Sequence, residues 1–257
     1  MISNPLSKLA PHLFGEYPRE FTDLINLVQI LPNQSSEELK SQIWLAYEFG
    51  KRHHEGQKRK SGEPYFMHCV EVAKTLASWK MDKTTIIAGL LHDTVEDTDV
   101  TLDQLEENFG TDLSNLVDGL TKIAGISYSS RKEMQAGNFM KMLLSVAQDL
   151  RVIIIKFADR LHNMETIRSM PQLKRHRIAI ETRDVYIPLA NRLGMSAVKS
   201  QLEDLVFSVL NPSGYKEIKE KITSTQKQRI KFIKTITKPV EKELIKYNID
   251  PMVYGRA

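Results

Sequence analysis

A chain of 257 residues, 41% of them hydrophobic and 26% charged, is long enough to bury a sizeable core and has the composition of an ordinary soluble globular protein. The net charge of +4 does not require a nucleic-acid partner, and a single cysteine, Cys69, excludes an intramolecular disulfide. The first residues lack a secretory signal, and no apolar stretch is long enough to span a bilayer. We therefore predict a soluble, cytoplasmic protein with no membrane partner.

Apolar residues recur at helical spacing along most of the chain, and polar residues mark where helices begin. Ser35 can cap a long helix that runs through residues 39–50, and Pro64 suits the first turn of a helix that carries His68. Asp82 is predicted to cap the helix that ends at residues 92–93. Residues 101–104 have the form of a capping box. Further helices fit 113–123, 131–147, 150–164, 173–186 and 198–210.

One segment has the composition of a strand. Residues 151–156 are rich in β-branched side chains, so propensity alone favours β structure. No second strand candidate exists to pair with them, however, and a lone strand cannot satisfy its backbone. We therefore predict a buried helix here and an all-α fold.

The composition shifts after residue 212. Residues 213–247 hold ten Lys or Arg against four Glu, with apolar residues at helical spacing. A basic amphipathic helix of this kind could bind nucleic acid, but no aromatic residues are interleaved as stacking platforms. A solvated connecting helix is the favoured interpretation.

Two imidazoles and two carboxylates, spread over about ninety residues, form a candidate set of divalent-metal ligands: His68, His92, Asp93 and Asp159. On a helix, His92 and Glu96 would share one face, because side chains four apart stack on neighbouring turns. Asp93 and Asp97 would do the same. Apolar residues 88–91 lead straight into this acidic cluster, which indicates partial burial, and buried carboxylates are normally paired, metal-bound or functional. A mixed nitrogen and oxygen set suits Mn, Fe or Zn better than Mg or Ca.

Several ordered motifs together resemble the hydrolase domain of the RelA/SpoT homologue family, the bacterial enzymes that make and destroy the stringent-response alarmones ppGpp and pppGpp. That domain belongs to the HD superfamily of metal phosphohydrolases, and the similarity covers about residues 40 to 210. The motifs are RKSGEPYFMH at 59–68, LHDTVED at 91–97, LVDGLTK at 116–122, IKFADRLHNM at 155–164 and YIPLANRLG at 186–194.

The resemblance implies an HD-type helical bundle in which the four candidate ligands hold one Mn²⁺, while Glu96 and Asp97 complete the catalytic centre. It implies hydrolysis of the 3′-diphosphate of ppGpp or pppGpp to GDP or GTP and pyrophosphate. Which of the two acids accepts the proton of the attacking water stays open. For Lys156 and Arg160, phosphate binding and ion pairing are both open. The predicted substrate contacts are Arg59, Lys60, Lys122, Asn163 and Thr166.

The domain organisation is predicted from the same resemblance. Residues 1–195 would form the hydrolase domain, 196–250 a helical connector, and 251–257 the start of a synthetase domain at which the chain stops. The synthetase and regulatory domains of a full-length protein are therefore the expected partners, with any ribosome contact made through absent C-terminal regions. Two alternatives are a catalytically silent nucleotide-binding regulatory domain and an HD phosphodiesterase that acts on another nucleotide.

Some residues depart from the family pattern. Glu165 and Met140 stand where the family commonly has Arg, and Cys69 stands where proline usually follows the ligand histidine. Cys69 is expected to have a small, buried, apolar role. The His53–His54 pair is interpreted as a solvated helix end, because no second histidine follows four residues on.

Overall fold

The computed structural model describes residues 17–29, 35–124, 149–247 and 249, without the side chains at 122–124 and 224–229. The predicted helix at 131–147, Met140 within it, and the predicted synthetase start at 251–257 lie outside these residues. Within the described ranges the regular elements are helical, and β structure is limited to one isolated bridge between Lys58 and Pro64. The prediction of an all-α fold is confirmed.

In chain order the described helices are α1 (Arg19–Leu27), α2 (Ser36–His53), α3 (Phe66–Ser78), α4 (Lys83–Leu91), α5 (Thr94–Asp97), α6 (Leu102–Phe109), α7 (Thr111–Ala124), α8 (Leu150–Glu165), α9 (Gln172–Glu181), α10 (Ile187–Arg192), α11 (Ser196–Leu210) and α12 (Pro212–Ile245). A 3₁₀ turn, Ile167–Ser169, follows α8, and a stretch of π-helix, Thr182–Tyr186, follows α9.

The predicted caps form as side-chain hydrogen bonds. Ser35, Asp82 and Thr101 each accept from the backbone amide three residues further on, at 3.4, 3.1 and 3.3 Å. The Thr101 cap is a complete capping box, because the side chain of residue 104 also accepts from the Thr101 amide. Gly110 ends α6 with a φ of 91°, a conformation that favours glycine.

The β-branched segment is helical, as predicted. It forms the first turns of α8, where Asp149 caps the helix by accepting from the Arg151 amide at 2.8 Å. Val152, Ile153 and Ile155 are all at most 2% exposed. Packing of this helix against α3, α4 and α7 overrides its intrinsic strand preference.

Close contact between α3 and α4 brings two candidate ligands together. A Cβ on Gly89 of α4 would lie 2.5 Å from the side chain of Leu76 and 3.4 Å from the backbone of Ala73, both on α3. Only glycine leaves room for the two helices at this spacing. Gly89 therefore lets the C-terminal end of α4, with His92 just beyond it, approach the part of α3 that carries His68.

The chain divides into two compact units, Met1–Val206 and Phe207–Ala257. In the second unit, α12 is a 34-residue helix that is largely exposed and basic, as the sequence pattern predicts. None of the helices in the described ranges is both long enough and apolar enough to cross a membrane.

Candidate metal centre

The four predicted ligands converge in the first unit from three helical regions. His68 lies on α3, His92 and Asp93 lie between α4 and α5, and Asp159 lies on α8. His68 Nε2 is 3.1 Å from Asp159 Oδ1 and 3.8 Å from Asp93 Oδ2. His92 Nε2 is 3.1 Å from Asp93 Oδ2 and 4.0 Å from Asp159 Oδ1. The candidate ligand atoms of His68, His92 and Asp159 thus lie within 4.8 Å of one another, and Asp93 Oδ2 lies close to both ring nitrogens.

The helix is interrupted at residues 92–93, so His92 and Glu96 do not lie on one continuous helix. Asp93 and Asp97 are helical neighbours as expected, because the Asp97 amide donates to the Asp93 carbonyl at 2.8 Å. α4 ends at Leu91 and α5 is a separate turn, with Asp93 at φ −97° and ψ −2° between them. His92 Nδ1 lies 2.9 Å from the Gly89 carbonyl oxygen. In a continuous helix that oxygen would accept from the amide of Asp93, so the imidazole replaces a backbone hydrogen bond at the break.

Hydrogen-bond polarity fixes where the proton of His92 lies. A carbonyl oxygen can only accept, so the His92 Nδ1 atom carries a hydrogen and donates it to Gly89. The Nε2 atom is then the one that faces the carboxylates, 3.1 Å from Asp93 Oδ2. A cation is needed between this nitrogen and the carboxylate oxygens, and either a proton or a metal ion can fill that place.

Each candidate ligand also has an outer partner that orients it. The Tyr65 hydroxyl donates to Asp93 Oδ2 at 2.8 Å, and Asn163 Nδ2 donates to Asp159 Oδ1 at 2.5 Å. His68 Nδ1 lies 2.7 Å from His162 Nδ1. Such outer contacts are a usual feature of protein metal sites, since they fix ligand tautomers and carboxylate orientations.

The electrostatics of the cluster favour charged carboxylates. Burial opposes the ionised form of both carboxylates. The charge and hydrogen bonding of His92 nevertheless hold the pKa of Asp93 well below its usual range. The charge and hydrogen bonding of His68 do the same for the pKa of Asp159. The carboxylate of Asp93 likewise raises the pKa of His92 against the effect of burial. Two ionised carboxylates and two imidazoles in a buried site fit a divalent cation.

The predicted catalytic acids lie on α5, directly after Asp93. Glu96 and Asp97 are both exposed to solvent. Partial desolvation raises the pKa of Glu96, and the charges of Asp93 and Asp97 raise it further, against the lowering effect of Lys156. A carboxyl group with a raised pKa, next to a group of candidate metal ligands, is suited to accept a proton.

Three of the five predicted substrate contacts lie together beside the ligands. Arg59 donates to Asn163 Oδ1 at 2.5 Å and to Thr166 Oγ1 at 3.1 Å. Lys60 is exposed on the same loop, and the side chain of Lys122 is outside the part that the structure describes.

The two basic residues of α8 that were left open differ in their surroundings. Lys156 is 8% exposed, and although burial opposes its charge, Asp159 and Asp93 raise its pKa. Arg160 pairs with Glu181 at 3.2 Å and stacks over the Tyr186 ring at 4.0 Å. Of the two roles left open, phosphate binding and ion pairing, the contacts of Arg160 fit ion pairing.

Other residues near the site were missed or misjudged from the sequence. Tyr65 was given no role, although it stands inside the 59–68 motif. The prediction of a solvated His54 is wrong: the side chain is buried, stacks on the Tyr65 ring at 5.2 Å, and pairs with Gln57 through Nδ1 at 2.8 Å. Gln57 in turn donates to the Asp97 carbonyl at 2.6 Å. The sequence contains no signal for this packing beyond the proximity of the loop to the motif.

Of the departures from the family pattern, Cys69 and Glu165 fall within the described residues, and the Cys69 sulfur lies within 4.8 Å of ligand atoms of His92 and Asp93. Cys69 is fully buried, as expected, and burial raises the pKa of its thiol. Glu165 is exposed at the C-terminal end of α8, where partial burial and the neighbouring Glu71 raise its pKa. Its charge faces α3 rather than a ligand.

Comparison with known proteins identifies the family and several relatives of this chain. A family model described as HD domain matches residues 46–196. The bifunctional (p)ppGpp synthase/hydrolase SpoT of Escherichia coli K12 is 43% identical over 231 residues, which are 90% of this chain and 33% of that protein. A guanosine-3′,5′-bis(diphosphate) 3′-pyrophosphohydrolase of Aquifex aeolicus is 43% identical over 91% of this chain and 33% of its own length. A GTP pyrophosphokinase of Myxococcus xanthus is 45% identical over 83% and 29%.

A solved structure supports the fold. It is described as a metazoan orthologue of SpoT that hydrolyses ppGpp, and it matches with a TM-score of 0.53 and 24% identity over 65% of this chain and 93% of its own.

The chain belongs to the HD domain family, because the family model spans more than half of it. The resemblance to RelA/SpoT homologues is confirmed by the relatives above, and the chain spans about a third of their length.

Proposed function

We propose that this chain is a metal-dependent 3′-pyrophosphohydrolase of ppGpp and pppGpp. The observation that supports the proposal is the close approach of His68, His92 and Asp159, with Asp93 beside both histidines, in a chain whose relatives are named for this activity. We propose Mn²⁺ as the ion, since the donor set mixes imidazole nitrogen with carboxylate oxygen. The chain would act in the cytoplasm, beside the synthetase and regulatory domains of a longer protein.

The reaction adds water across the bond between the 3′ oxygen of the ribose and its phosphorus. When bound, the divalent ion would supply a Lewis acid that offsets negative charge on the phosphate. Glu96 would take a proton from the attacking water, a role that its raised pKa suits. The 3′ oxygen leaves with a proton, and pyrophosphate is released.

Positive charge beside the cluster would hold the phosphates and the nucleotide. Arg59 is half-buried next to Asn163 and Thr166, where its planar guanidinium can serve a nucleobase or a phosphate. Lys60 on the same loop is exposed, and its flexible side chain would bring a compact positive charge to a phosphate. The buried ammonium of Lys156 offsets part of the negative charge of the carboxylates.

The direct test measures pyrophosphate release from ppGpp by EDTA-treated protein, with and without added Mn²⁺. We expect release that needs Mn²⁺ and is lost in Asp93→Ala. Parallel assays with Mg²⁺ and Zn²⁺ would identify the preferred ion. Nucleotide binding without release would instead indicate a silent regulatory domain. Release from another nucleotide but not from ppGpp would indicate a different HD phosphodiesterase.

The pH profile gives a second prediction, on the role of Glu96. Only the ionised carboxylate can accept a proton, and its pKa is raised, so activity should fall with decreasing pH already above the ordinary pKa of glutamic acid. Lys156→Met should move this acidic limb to still higher pH, because the ammonium lowers the pKa of Glu96. The measurement is kcat/KM against pH at saturating Mn²⁺. A limb that stays in place in Glu96→Gln would contradict the assignment.

A further inference from the structure

The Arg59 side chain makes all its described hydrogen bonds to one turn at the C-terminal end of α8. One guanidinium nitrogen donates to Asn163 Oδ1 at 2.5 Å. The other donates to Thr166 Oγ1 at 3.1 Å and lies 3.3 Å from His162 Nδ1. The Thr166 hydroxyl donates a hydrogen bond to the His162 carbonyl oxygen at 2.8 Å. The loop at 57–64 is thereby joined to the helix that carries Asp159.

The guanidinium determines which way Asn163 faces. Because it has only donors, the atom of Asn163 that it meets must be the oxygen. The amide nitrogen of Asn163 then faces Asp159 Oδ1, to which it donates at 2.5 Å. With the amide reversed, an oxygen would face the carboxylate and the hydrogen bond would be lost.

The same reasoning fixes the tautomer of His68. Since Arg59 can only donate, His162 Nδ1 is an acceptor, and that atom lies 2.7 Å from His68 Nδ1. His68 Nδ1 must therefore carry the hydrogen between them. The lone pair of His68 then sits on Nε2, which faces Asp159 Oδ1 at 3.1 Å.

We propose that Arg59 is a positioning residue for the metal centre, acting through His162 on His68 and through Asn163 on Asp159. The inference rests on the proposed divalent-metal site and does not involve the nucleotide. The predicted change in metal affinity on losing Arg59 is opposite in sign to the change expected from charge repulsion alone. Removing a positive charge beside a cation site should tighten metal binding by reducing repulsion, whereas removing this guanidinium should weaken it by releasing two ligands from their orientation.

The test measures the dissociation constant of Mn²⁺ alone, from the electron paramagnetic resonance signal of the free ion, without nucleotide. Arg59→Met is expected to weaken binding roughly tenfold, the size found when outer contacts of metal ligands are lost. Lys58→Met is the matched control, because it removes one exposed charge from the same loop. That variant should bind Mn²⁺ as tightly as the wild type or slightly more tightly. Circular dichroism would verify that both variants are folded.

A second pair of variants tests the contact from Arg59 through His162 to His68 by itself. The variant His162→Asn keeps an acceptor oxygen near the position of the Nδ1 atom, so it should largely retain Mn²⁺ affinity. His162→Leu has no acceptor and should bind about tenfold more weakly. Wild-type affinity in Arg59→Met or in His162→Leu would overturn the inference while leaving the metal site in place. A wild-type chain that binds no Mn²⁺ would overturn the proposed metal centre as well.

Discussion

Asp159→Asn is expected to reduce ppGpp hydrolysis on the order of a thousandfold, the effect of losing about 4 kcal/mol of charge stabilisation at the metal. The amide has the shape of the carboxylate but no charge. It would leave two imidazoles and a single carboxylate, Asp93, to hold a divalent ion. Asp159 Oδ1 also lies 3.1 Å from His68 Nε2, so the loss affects one of the two shortest imidazole–carboxylate contacts of the cluster.

Metal-dependent stability provides a measure of this variant that does not depend on turnover. Saturating Mn²⁺ at about 100 times its Kd should stabilise the wild type by about 2.7 kcal/mol, and Asp159→Asn should lose most of that increment. Each increment is measured against the same variant without metal, because loss of a carboxylate whose pKa is held low by His68 itself changes the metal-free stability. Asp99→Asn, an exposed site with the same charge change, is the control. Equal stabilisation of both variants by Mn²⁺ would contradict a ligand role for Asp159.

The sequence was sufficient to predict the class of the fold and to nominate candidate ligands that the structure brings close together. Helical periodicity and caps such as Asp82 are local properties, so they could be found without a structure. The helical state of residues 151–156 followed from an argument about the whole chain, namely that no partner strand exists. The grouping of His68, His92, Asp93 and Asp159 followed from the chemistry of the side chains and from the family motifs.

The contacts that orient the site were beyond the sequence, because they depend on rotamers and on helix positions. The break after Leu91 arises from a side chain that takes a backbone acceptor, which periodicity does not indicate. The burial of His54 depends on where the ring of Tyr65 lies. The contact between Arg59 and His162 joins residues more than a hundred positions apart. Resemblance assigns Arg59 to the substrate, and only geometry shows its hydrogen bonds toward the ligands.

The largest effect on stability is expected from Phe21→Ala, at about 3–5 kcal/mol. Phe21 is fully buried on α1, with its ring centroid 4.7 Å from that of Trp44 and 5.4 Å from that of Tyr47. The Tyr47 hydroxyl also donates to Glu20 of α1 at 2.8 Å, which ties the same two helices together. The matched HD region begins only at residue 46, so α1 lies outside it.

Urea unfolding followed by circular dichroism would measure this loss, with an accompanying fall in Tm on the order of 10 °C. Leu27→Ala, at a position that is 45% exposed on the same helix, should change stability by no more than about 0.5 kcal/mol. Similar small losses in both variants would mean that α1 is not integral to the folded unit. A large loss confined to Phe21→Ala would mean that the core of this chain is completed by a helix that precedes the matched HD region. The α2–α3 contact through Tyr47 and Phe66 would then link that helix to the segment that carries His68.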